Sequence, residues 1–431
     1  MLQRSVCLAA LLVLTTACQP PVRLMPAPAL FLNGEHNLFA ANADLDRSPR
    51  IQVFYATNRM AFGPSAAPAY TVFPGDELSL GVATLDIGGG AQSWDWLYEQ
   101  STSASAERRP QLLVNAMDQK AAVAIGADPS APGEEALAFL RLVDAALAGA
   151  ADPDLTIYVH GANTGVGRAT AQAAQYRHFT GRNSVVLSYL WPSAGNFMRF
   201  SHDVSKAGQT APAFAQLVRM LALHTRARHI DVIAYSSGAM VASPGLAILG
   251  TPSPGYDPAS VRLGEVYFPA PDADFRTFVG ELQAYHGLPE RVTVTANMRD
   301  SVLVLSRLHQ RGSRAGRPDP SELGPEDAQW MVEASRRLDF DLISARAGDL
   351  PGMERRSHIF WYDHPWVSSD VLLKMLFHFP PEQRGLQRNA MDGGLEYWSF
   401  PADYEARLDA VMADLAGQGA AQPGDGPDHV P

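Results

Sequence analysis

Cysteine is nearly missing from this chain: of 431 residues only Cys7 and Cys18 carry a thiol. Neither lies in the body of the chain, so a disulfide framework and a cysteine-built metal site are both excluded. Basic clusters are missing as well. Lys and Arg total 34 against 45 Asp and Glu, a net charge of −11, which removes the electrostatic footprint of a nucleic-acid binder. No G-x-x-x-x-G-K-[ST] occurs, and Gly88-Gly89-Gly90 lacks the spacing of a dinucleotide fingerprint; it reads as a turn. His358, Asp363, His364 and Asp370 gather in one stretch without a paired ligand motif on another element, so no metal or other cofactor is expected. With 46% hydrophobic and 18% charged residues, the composition is that of a folded globular chain.

Long apolar runs are also lacking. The longest, Val6 to Leu14, is far short of the roughly 20 residues that span a bilayer. Preceded by Arg4 and followed by Ala17, it has the layout of a cleaved signal peptide over residues 1–17. Leu14-Thr15-Thr16-Ala17-Cys18 resembles a bacterial lipobox, which implies a lipid-modified Cys18. Residues 18–49, Pro-rich to Pro28, are then expected to act as a lipid-anchored tether. Gln19 after the cysteine resembles the outer-membrane sorting pattern. The expected location is the cell envelope, anchored to the membrane by lipid, on the periplasmic face of the outer membrane.

Beyond residue 50 the pattern becomes regular. Strands are expected at 50–56 and 78–87, then short apolar ones near 155–159, 184–189, 229–234, 261–268, 291–296 and 338–343, separated by helical stretches. Buried-type strands alternating with helices predict an α/β fold with a mainly parallel sheet flanked by helices on both faces. The expected organisation is a single domain over 50–415, with insertions near 88–110 and 307–335 able to shape a pocket. A Gly/Pro/Ala-rich disordered tail over 416–431 completes it.

Chemistry concentrates at Ala234-Tyr235-Ser236-Ser237-Gly238, between a strand and a helix. A nucleophile elbow turns so sharply that small residues are needed two before and two after the serine. Ala234 and Gly238 meet that demand around Ser236 alone. The N–H of Ser237 is a candidate oxyanion donor, and the N–H of Ala162, in Val159-His160-Gly161-Ala162-Asn163 after an earlier strand, is its partner. His160 itself suits loop shaping. The chain order of this fold, serine then acid then histidine, points to Asp300, with Asp272 and Asp274 as rivals. Asp300 also has the position of a helix N-cap. For the base it points to His358, with His364 as runner-up.

Several ordered blocks resemble the bacterial α/β-hydrolases grouped as DUF900, over about residues 50–380. They are Phe54-Tyr55-Ala56-Thr57-Asn58-Arg59, Tyr158 to Thr164, Trp191-Pro192-Ser193, Asp203 with Ala207, the elbow, and Pro269-Ala270-Pro271-Asp272. Asp300 with Leu303 and Ser306 follows, then His358 with Tyr362 and Asp370. One departure stands out: the family usually has His-Ser-Met-Gly where this chain has Tyr235-Ser236-Ser237-Gly238. The resemblance implies an α/β-hydrolase fold and a Ser-His-Asp triad, but no substrate. The expected function is an envelope serine hydrolase of esters or thioesters, taking small-molecule or lipid-like substrates. The alternative is a non-catalytic lipoprotein that keeps the fold as a binding or scaffolding module.

Overall fold

The computed structural model describes residues 21–32, 38–40, 42, 45–104, 109–196, 199–337, 339–391 and 393–417. The expected signal peptide, Cys18 and residues 418–431 of the expected tail lie outside them. One eleven-stranded sheet organises the chain, in the order β10-β11-β9-β8-β7-β6-β4-β5-β1-β2-β3. Its middle is β4 (Leu155–Val159), β5 (Val185–Tyr189), β6 (Ile230–Ala234), β7 (Leu263–Pro269), β8 (Arg291–Ala296) and β9 (Phe340–Ser344). One end carries β1 (Arg50–Phe62), β2 (Ala69–Ile87) and β3 (Leu112–Ala124); the other carries β10 (Gln387–Ala390) and β11 (Glu396–Ser399). Every pairing from β11 through β1 is parallel, and only β1/β2, β2/β3 and β10/β11 are antiparallel.

Strand chemistry explains the two layers. In β4 and β6 every residue is buried, and successive side chains leave on opposite faces. Leu155, Ile157, Val159, Ile230, Val232 and Ala234 join one core, while Tyr158 and Ile233 join the other. The first core is covered by α2 (Glu134–Ala148), α5 (Ala211–His224), α6 (Ala239–Gly250), α7 (Phe275–Tyr285) and α9 (Pro325–Arg336). The second lies under α1 (Trp94–Thr102), α3 (Val166–Phe179), α10 (Pro365–Phe377) and α11 (Tyr404–Gly417). Two further helices, α4 (Phe200–Ala207) and α8 (Ser301–Gln310), stand at the carboxyl edge of the sheet. No helix among the described residues is long and apolar enough to cross a membrane.

Some expectations need correction. Part of the segment read as a tether is packed: Leu24, Met25, Leu30 and Phe31 are buried in the second core, and Leu30 N–H donates to Ser369 Oγ. Its prolines break helix and strand, yet the apolar residues between them cover α3 and α10. Within the insertion expected near 88–110, α1 buries Leu97 and Ser101. Between α4 and α5 lies a tight turn at Gly208–Thr210, where Pro212 starts a new helix without an N–H to donate. Strand β3 falls in a stretch where no strand was expected, and β1 and β2 run well past the residues expected of them.

Parallel order positions the site. From β4 the chain moves to β5 on one side and then crosses to β6 on the other. The helices following β4 and β6 therefore cover opposite faces, α3 on one and α6 on the other. Between the carboxyl ends of these two strands the loops diverge, leaving the crevice where ligands of open α/β sheets bind.

Candidate active site

Ser236 stands at that crevice with φ 53°, in the left-handed region. A serine held there costs about 1–3 kcal/mol unless its surroundings impose it. They do: Tyr235 N–H donates to Val159 O at 3.0 Å, Gly238 N–H to Tyr235 O at 2.8 Å, and Asp272 N–H to Ser236 O at 3.0 Å. The small residues on either side have steric causes. A Cβ on Gly238 would sit 2.5 Å from Val159 O, and one on Gly161 would meet Ser236 Cβ at 3.0 Å. Ala234 is wholly buried.

The structure brings Asp300 and His358 to this serine. His358 Nε2 lies 2.8 Å from Ser236 Oγ, and its Nδ1 lies 2.6 Å from Asp300 Oδ2. A carboxylate only accepts, so Nδ1 carries the proton and Nε2 is left to accept from the serine hydroxyl. Asp300, with no exposed surface, also accepts Val302 N–H at 2.9 Å and Leu303 N–H at 3.1 Å through Oδ1. One carboxylate thus caps α8 and orients the imidazole. The loop bearing His358 is fastened to the loop bearing Asp300: Asn297 Nδ2 donates to Ser357 O at 2.9 Å, and Ser301 N–H to Arg356 O at 3.3 Å. Tyr235 supports the base from below, its ring 5.4 Å from the imidazole and its hydroxyl donating to His358 O at 3.4 Å.

The rivals are occupied elsewhere. Asp272 accepts from Ser237 Oγ, Ser306 Oγ and Arg314 Nε at 3.0, 2.6 and 2.7 Å, and the buried Arg314 also donates to its carbonyl. Asp274 caps α7, and His364 caps α10 while its Nε2 faces Pro351 O. His160 packs flat on Trp191, with ring planes 10° apart, and its Nδ1 lies 2.7 Å from Gly161 O. Burial lowers its pKa to about 3, so it is a neutral structural ring.

Sequence reasoning left Asp203 without a task. Wholly buried, it accepts Asn163 N–H at 3.1 Å, Ala194 N–H at 2.8 Å and Ser193 Oγ at 2.8 Å. Ser193 Oγ in turn accepts Thr164 N–H at 3.1 Å, and Arg59 donates to Thr164 O at 3.3 Å. This network fixes the loop after β4, where Ala162 precedes Asn163 in the left-handed region at φ 54°. Its residues lie in four separate blocks of the chain, and their joint appearance in the resemblance was the only signal.

Asp363, His364 and Asp370 do not join His358 in a cluster; Asp370, for one, is paired with Arg384. Carboxylates and imidazoles converge instead at the amino edge of the sheet, as Asp154, His229 and His378 and as Glu265, Glu290 and His378. Arg228 already pairs with Asp154, at 2.7 Å, and Lys374 with Glu265. That cluster is an ion-pair network far along the strands from Ser236.

Sheet, elbow and crevice together define an α/β-hydrolase. Residues 138–350 match the family described as alpha/beta hydrolase of unknown function (DUF900). The match holds Ser236 and Asp300 and ends before His358. No curated protein matches the chain.

Proposed function

We propose that this α/β-hydrolase is a serine esterase working through an acyl-enzyme, with thioesters as a related substrate class. The observation that carries the reading is the unbroken relay from Ser236 Oγ through His358 to Asp300. In the first half-reaction Ser236 Oγ attacks the ester carbonyl carbon while its proton passes to His358 Nε2. Asp300 stabilises the imidazolium so formed. The carbonyl oxygen becomes an oxyanion between the N–H groups of Ala162 and Ser237, neither of which donates to an acceptor among the described residues. Each such donor is typically worth about 10²–10³ in rate. The alkoxide or thiolate then leaves with the proton from His358. Water, deprotonated by the same ring, releases the acid and restores Ser236.

The test is hydrolysis of short p-nitrophenyl esters. Ser236→Ala is expected to lower kcat at least about 10⁴-fold, and a fluorophosphonate probe to label the parent but neither Ser236→Ala nor His358→Ala. Undiminished turnover in Ser236→Ala overturns the mechanism, and a parent inert to both probe and esters favours the scaffolding alternative.

The envelope location belongs to the same proposal. Supported by the lipobox-like Leu14 to Cys18, it predicts radiolabelled palmitate in the parent and none in Cys18→Ala. An unlabelled parent ends that part alone.

A further inference from the structure

Large apolar side chains that stay exposed are concentrated on one edge of this molecule. At the far end of the β1–β2 hairpin, beyond the last pairing of β1 with β5, Met60, Phe62 and Phe73 stand in solvent. Across the crevice α8 is turned inside out: Leu303 and Ser306 face the protein, while Val304, Leu305 and Leu308 face water, Leu308 at 75% exposure. Met298 and Ile359, next to the loops of Asp300 and His358, are exposed too. Helix α4 bridges the two groups, with Arg199 over the Phe73 ring at 6.0 Å, His202 beside it at 6.2 Å, and Phe200 at 6.2 Å from His309 of α8. An apolar rim therefore surrounds the carboxyl edge of the sheet, the edge that bears Ser236.

Charge on this rim runs against the rest of the chain. Met298, Arg299, Val304, Arg317, Arg355 and Arg356 line a crevice of about 380 Å³ with no acidic side chain, in a protein of net charge −11. Arg299, Arg355 and Arg356 are exposed and form no ion pair among the described residues. A guanidinium cluster set in exposed aliphatic side chains matches a surface with phosphates outside and hydrocarbon just beneath.

We propose that the carboxyl edge is a docking face for an anionic phospholipid bilayer. The apolar rim enters the headgroup boundary and the arginines hold lipid phosphates. Net repulsion of an acidic protein by such a bilayer makes the local arginines decisive, since aliphatic insertion alone would suit a zwitterionic surface equally well. Docked this way, the crevice opens toward the lipid. Taken together with the esterase reading, on which this last step rests, the substrates are acyl esters drawn from the membrane.

The experiment uses the chain with Cys18→Ser, so that no attached lipid contributes, and with Ser236→Ala, so that catalysis plays no part. Sedimentation is measured with vesicles of phosphatidylcholine alone and of phosphatidylcholine with phosphatidylglycerol. Binding is expected to the anionic vesicles only, and to fall as salt rises. Leu305→Ser with Leu308→Ser, or Arg299→Gln with Arg355→Gln and Arg356→Gln, are each expected to weaken it about tenfold or more, with the melting temperature kept. Protein left in the supernatant with both vesicles, or variants that bind like their parent, overturns the proposal whatever the esterase assay shows.

Discussion

At the scale of single residues, Asp300 performs two jobs that different substitutions separate. Asp300→Asn retains an oxygen to cap Val302 and Leu303 but presents an amide to His358 Nδ1, which favours the wrong tautomer. Its kcat on p-nitrophenyl esters is expected to fall about 10⁴-fold with little change in melting temperature. Asp300→Ala removes the cap as well and should add about 1 kcal/mol of destabilisation in urea unfolding. Gly238 offers a purely steric test. A methyl group there would lie 2.5 Å from Val159 O, so Gly238→Ala must push β4 and the elbow apart. The expected outcome is a loss of about 2–4 kcal/mol in urea unfolding together with loss of fluorophosphonate labelling.

Among elements, the loop after β4 depends on a residue forty positions further on. Asp203 ties Asn163, Ala194 and Ser193 together and so sets where the Ala162 N–H points. Asp203→Asn trades one acceptor oxygen for a donor, leaving one of those N–H groups facing another. If the Ala162 N–H serves the oxyanion, kcat falls about 10²-fold while KM stays close to the parent value, because the donor acts on charge that develops only in the transition state. Steady-state kinetics that show a raised KM with kcat unchanged would place Asp203 in substrate binding instead. The helices make a similar point: α8 exposes leucines that a core-forming helix would bury, and its capping residue is Asp300, which also meets His358.

Over the whole molecule, the two edges of the sheet have opposite characters. The carboxyl edge holds the crevice; the amino edge holds buried charge. There, burial alone would lower the pKa of His378, but hydrogen bonds to Asp154 and Glu290 outweigh it and raise it to about 11. A base with a raised native pKa stabilises fully below its unfolded value of about 6.5, and that contribution is lost as pH rises toward about 11. Lys374, lowered to about 8 by burial, acts in the opposite sense above that pH. Comparison with His378→Asn isolates the histidine: the stability gap between parent and variant should shrink steadily from pH 6.5 to pH 10 in urea unfolding. A gap that stays constant across that range would show that His378 is neutral in the folded state.

How much of this was legible from the chain follows from how local each feature is. The elbow was readable because its steric demand falls within five residues, Ala234 to Gly238. The parallel layers were readable because strands buried on both faces are uniformly apolar. Asp300 and His358 could be placed by chain order, yet only folding brings residues 122 and 58 positions apart within hydrogen-bond reach. Strand β3 escaped notice because it pairs antiparallel at the sheet's end, with one face half-covered and no uniform apolar run. The segment after residue 24 looked like a tether because prolines dominate it, while the surface that buries Leu30 and Phe31 comes from helices more than a hundred residues away. Asp203 and Arg314 carry no local mark at all, since their roles exist only through partners on other loops. The sequence by itself determined the layers and the strained serine, because backbone sterics and burial patterns act over a few residues. Tertiary structure alone decided which carboxylate meets which imidazole, because hydrogen bonds form only between groups that the packed sheet holds within about 3 Å of one another.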